Sequence, residues 1–188
     1  MPVHGPNNFT AAAGAWTNPA NALTDDGQHA TIAVTNGASG WIRLTNPAFS
    51  IPGDEVIDGI DIDYEAILST GFGDPPYLEF ALTKDGTNPT GTVQETAGGP
   101  ADLWGTTWNS SELNTGTAGV LIRLVDPTTE GATANLDVAT ITVYTTEDPE
   151  LVPIEGGVGG GSGGGNVGGG HEMDGAMLII PAIGKEVM

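Results

Sequence analysis

The side chains with the most capacity for chemistry are carboxylates. Asp58, Asp61, Asp63 and Glu65 fall in one short stretch, and Asp25-Asp26 stand together earlier in the chain. Two carboxylates on either side of a glycosidic bond can act as acid and base. Carboxylate oxygens also suit Ca²⁺, which takes about six to eight oxygen ligands. The chain carries 24 aspartates and glutamates, so acidic groups meet by chance and a solvated face is the first reading of the stretch. Calcium held through Asp61 and Asp63 is the second. Catalysis is the third, because nothing sets one acid's pKa apart from a partner's. His4, His29 and His171 have no mutual spacing that makes a metal or catalytic pair. Cysteine is absent, which removes disulfides, thiolate metal sites and thiol nucleophiles. No HExxH or P-loop pattern occurs. The reading is a protein that is not an enzyme and needs no cofactor, calcium being the one candidate ion.

The remaining candidates are aromatic. Trp104 and Trp108 sit in a loop-like stretch, Leu103 to Asn109. Indoles on a β-sandwich can form a stacking platform, and these two are the candidate glycan contacts. The favoured alternative is that they plug the end of the sandwich. Arg43 and Arg123 lie on strands in a chain with four lysines and arginines in all, and each is expected to pair with acidic neighbours.

These residues need elements to hold them, and the pattern is all-β. Ile60, Ile62 and Tyr64 alternate with Asp61, Asp63 and Glu65, which predicts a strand over 56–68 with one packed and one wet face. Similar patterns predict strands over 31–34, 41–44, 77–83, 90–95, 120–125 and 136–144. Asn36-Gly37 between the first two of these reads as a hairpin turn. No stretch carries a helical apolar stripe over three turns. The fold class is an antiparallel β-sandwich or jelly roll. Residues 1–30 read as an arm with turns and 31–150 as the sandwich.

Beyond the sandwich the composition changes. Residues 151–170 form a glycine-rich linker, with glycine dominating Gly156 to Gly170. Residues 171–188 form an apolar anchoring segment in which Met177, Leu178, Ile179, Ile180 and Ile183 are the candidate assembly interface. Such a tail either returns to its own sandwich as a strand or docks on another subunit, and docking is favoured. The net charge is −20 and the pI about 4.1. That charge repels nucleic-acid phosphate and anionic lipid, so neither is an expected partner. No run approaches the roughly 20 apolar residues that span a bilayer. A soluble protein made in a cytoplasm is expected.

Short motifs run through the sandwich region. Trp16-Thr17-Asn18-Pro19-Ala20-Asn21-Ala22 is followed by Asp26-Gly27-Gln28-His29-Ala30-Thr31, then by Phe49-Ser50-Ile51-Pro52, Ile57-Asp58-Gly59-Ile60 and Ile141-Thr142-Val143-Tyr144. Across residues 15–146 this order resembles virion structural proteins of tailed bacteriophages. The resemblance implies a head-decoration, head-fibre or tail-associated sandwich without an active site. It further implies other virion proteins as partners, major capsid or tail proteins among them, with a homo-oligomer expected. The location would be the virion, assembled in the host cytoplasm. A carbohydrate-binding module or tail-fibre-type host-attachment protein is the alternative function.

Overall fold

The computed structural model describes residues 1–70 and 73–147. The described residues belong to one compact unit. The linker and the candidate interface residues Met177 to Ile183 lie outside the described residues.

Two antiparallel sheets face each other. The first contains β1 (Val3–Asn8), β3 (Ala30–Val34), β6 (Glu55–Thr70), β9 (Gly98–Gly99) and β11 (Ala132–Glu147). The second contains β2 (Ala11–Gly14), β4 (Gly37–Ala38), β5 (Ile42–Thr45), β7 (Tyr77–Thr83), β8 (Thr90–Gln94) and β10 (Gly119–Asp126). The fold is the all-β antiparallel sandwich that the alternation predicts.

The spine of the first sheet is the pair β6–β11, 16 residues each, aligned from Ala132↔Thr70 to Glu147↔Glu55. Two register shifts interrupt it, leaving Asp137 extra on β11 and Asp58 extra on β6. Each is a bulge, which bends the strand and re-aims the added side chain. Along the far side of β11, β3 pairs with residues 132–136 and β1 with residues 140–144. Between the sheets lie Ile60, Ile62, Leu136, Ile141 and Val143 from one side, and Ile42, Leu44, Phe80, Leu82, Val120 and Ile122 from the other. These are the inward positions of the period-two pattern.

Two expectations change. Residues 1–30, expected as an arm with turns, contribute β1 and β2 and a 3-10 turn over Pro19–Ala22. Neither strand alternates in hydropathy, because each lies at the margin of a sheet. Pro6 is tolerated there because an edge strand has one side free of ladder bonds. The second change is the expected hairpin at Asn36-Gly37. Both residues take left-handed backbone angles, φ 60° and 94°, so the turn chemistry is present. Yet β3 pairs with β11 in one sheet and β5 with β10 in the other. The turn carries the chain between sheets, held by the Asn36 N–H donating to the Asp126 carboxylate at 3.2 Å.

Candidate functional site

The outward side chains of β6 make the most distinctive surface. Inward positions Ile60 and Ile62 are buried, while Asp63 and Glu65 are exposed and Asp61 half-buried. Residues two apart on a strand share a face, so the three carboxylates form a row. Among the described residues, no lysine or arginine pairs with any of them: the cations that form salt bridges are Lys84 with Glu112 and Arg123 with Glu79. The Asp61 carboxyl is pushed above its usual range, first by burial and then by the charge of Asp63.

Three carboxylates converge elsewhere along this surface. Oxygens of Asp25, Glu65 and Asp137 all lie within 4.8 Å of one another. The bulge turns the Asp137 side chain beneath the Asp25-Asp26-Gly27 turn, where it accepts the Gly27 N–H at 3.1 Å and the Asp26 N–H at 3.4 Å. These three residues are the ones that could hold a divalent cation, and they give only part of the oxygen shell that Ca²⁺ takes. The calcium expectation named Asp61 and Asp63, and neither belongs to the triangle. Glu65 and Asp25 come from stretches noted in the sequence. Asp137 was missed because Leu136-Asp137-Val138 reads as ordinary alternation. The signal available was a carboxylate in a long strand with apolar residues on both sides of it.

The indoles named as candidate glycan contacts are buried. Trp104 is 0% exposed and Trp108 7%. Trp104 donates from Nε1 to the Ile60 carbonyl at 2.9 Å, and its own N–H reaches the Asp102 carboxylate at 2.7 Å. Its backbone lies at φ 58°, a left-handed conformation unfavourable for a bulky side chain. Gly98 lies against the ring: a Cβ there would meet the Ile60 carbonyl oxygen at 2.3 Å and the indole at 2.9 Å. Trp108 donates to the Leu103 carbonyl at 3.1 Å and carries Lys84 Nζ 4.8 Å from its ring centre. Lys84 in turn bonds Glu112 at 2.8 Å, and Glu112 completes the capping box of α1 (Ser110–Leu113). No ring face of Trp104 is left for a sugar. Stacking occurs instead at Trp41, where the Arg123 guanidinium lies 4.5 Å from the ring centre and bonds Glu79 at 2.6 Å.

One concave feature lies on the outer side of β3 and β11. It has a volume of about 400 Å³ and is lined by Thr17, Thr31, Ile32, Ala33, Thr133 and Asn135. Its polar groups are hydroxyls and an amide, with no titratable side chain. His4 sits apart, against Glu55. Burial opposes ionisation of Glu55, but bonds from Thr145 and His4 and the charge of His4 outweigh it and hold the carboxyl below its usual range.

The class defined by these sheets is an antiparallel β-sandwich. No protein-family model, curated protein or solved structure matches the chain.

Proposed function

We propose that the chain is a non-enzymatic virion structural protein of a tailed phage, a capsid decoration or head-surface protein attached through its terminal segments. The observation that carries this reading is that the sandwich closes on its own core within residues 3–147. The glycine-rich stretch and the apolar residues Met177 to Ile183 follow in sequence a domain that already has a core of its own. An apolar segment on a glycine tether suits attachment to a neighbouring subunit, and many copies on one particle make weak contacts strong. The charge of −20 fits a domain that stays off packaged nucleic acid. The partners in this reading are major capsid or tail proteins, in the virion, with assembly in the host cytoplasm. The glycan-binding alternative loses its platform with Trp104 sealed in the core.

The test is deletion of residues 156–188. Incorporation into particles should be abolished while the sandwich retains its melting transition. Normal incorporation of the truncated protein would refute the assignment.

A further inference from the structure

The strand β6 is bonded on both sides over only part of its length. On one side it runs against β11 throughout. On the other, β9 meets it only at Ile60 and Asp61. The Ile60 N–H donates to the Asp102 carbonyl at 2.9 Å and the Ile62 N–H to the Ala97 carbonyl at 2.7 Å. Even-numbered residues thus turn their backbone groups away from β11. The bulge at residue 137 is on β11, so the alternation of β6 continues undisturbed. The N–H groups of Tyr64, Ala66 and Leu68 therefore point to the same open side, and none has a hydrogen-bond partner among the described residues. Their side chains face inward: Ala66 and Leu68 pack against the core, and the Tyr64 ring lies 4.9 Å from that of Phe80. Tyr64 is nevertheless 44% exposed and Ile67 59%, so apolar surface borders the open edge.

A long unpaired edge is a template for another strand. The side chains beside it state what that strand must carry. Toward the core its neighbours are Tyr64, Ala66 and Leu68; toward solvent they are Asp63, Glu65 and Ile67. Apolar residues suit the first set and cations the second, because opposite charges stabilise cross-strand pairs and like charges weaken them. A second copy of this chain is disfavoured, since pairing the same edge would set Asp63 and Glu65 against each other in a molecule of charge −20. We infer that the edge of β6 over residues 63–69 is a docking site for an extended segment of another protein that alternates apolar and basic residues. This goes beyond the virion reading and stands on the strand's geometry alone.

The experiment uses the full chain and two capped peptide probes, (Lys-Val)₄ and (Glu-Val)₄, followed by amide NMR at low and high salt. The lysine peptide should shift the amides of Tyr64, Ala66 and Leu68, bind more weakly as salt rises, and leave the chain's mass by light scattering otherwise unchanged. The glutamate peptide should not bind. Ala66→Pro removes an edge donor that β11 does not use, and should weaken binding by roughly tenfold. Asp63→Lys with Glu65→Lys keeps the backbone and should reverse the preference to the glutamate peptide, which keeps the test decisive if the proline variant fails to fold. Shifts centred elsewhere, equal binding of both peptides, absence of binding, or self-association through this edge would each overturn the inference.

Discussion

The two halves of β6 show one strand used in two ways. Over residues 60–62 both its margins are satisfied. β9, the Asp102 and Ala97 carbonyls and the Trp104 indole meet its open side, and Ile57, Ile60 and Ile62 are buried. Over residues 63–69 the inward side chains still reach the core, but among the described residues that margin is unpaired, and Asp63 and Glu65 stand beside it. The same period-two pattern serves both halves. The difference comes from what packs alongside, namely a buried ring in one half and a row of acids in the other.

The largest effect is expected where the first half is sealed. Trp104→Ala empties a fully buried site and removes the indole's bond to the Ile60 carbonyl. A loss of about 3–5 kcal/mol is expected, read from urea or thermal unfolding. A loss under about 1 kcal/mol would mean that the indole does not close that end.

A middle effect concerns acid. Asp126 is buried, and the Thr128 hydroxyl holds its carboxyl below the usual range against the opposing effect of desolvation, aided by the N–H groups of Thr128, Asn36 and Gly131. Backbone and side-chain bonds from Asn88 similarly lower Asp85, which sits in the turn after β7. A depressed folded pKa contributes stability that is complete above the unfolded value of about 3.9 and is lost as pH falls through the folded value. The melting temperature should therefore drop on acidification through and below about pH 4. Asp126→Asn should lower stability at neutral pH and narrow the gap between neutral and acid melting temperatures. An unchanged gap would remove Asp126 from the account.

The smallest effects belong to the open half. Ile67→Thr, at a side chain 59% exposed, should change stability by no more than about 0.5 kcal/mol. Asp63→Asn should be neutral or slightly stabilising, since it removes repulsion with Asp61. A destabilisation by either variant as large as that of Trp104→Ala would erase the contrast between the halves.

Much of this architecture could be read from alternation. Ile60, Ile62 and Tyr64 against Asp61, Asp63 and Glu65 set the faces of β6 correctly, because a strand's side-chain period is a local property. Sheet membership was not local. Asn36-Gly37 carries the chemistry of a hairpin, yet its neighbours β3 and β5 belong to different sheets, and only the distant β10 and β11 decide that. The carboxylate triangle was half legible. Asp25 and Glu65 were visible as acids, but Asp137 joins them through a bulge that depends on register with β6. Trp104 and Trp108 look the same in sequence whether they plug a sandwich or face a sugar. Their hydrogen bonds to the Ile60 and Leu103 carbonyls depend on tertiary packing, which the sequence does not display.

Amide hydrogen exchange along β6 of the full chain tests the contrast most directly. The N–H groups of Ile60 and Ile62, and the odd-numbered ones bonded to β11, should exchange slowly, with protection approaching global unfolding. Those of Tyr64, Ala66 and Leu68 should exchange orders of magnitude faster. Equal protection at residues 60, 62, 64, 66 and 68 would contradict the account, because it would mean that the far half of the strand is already paired.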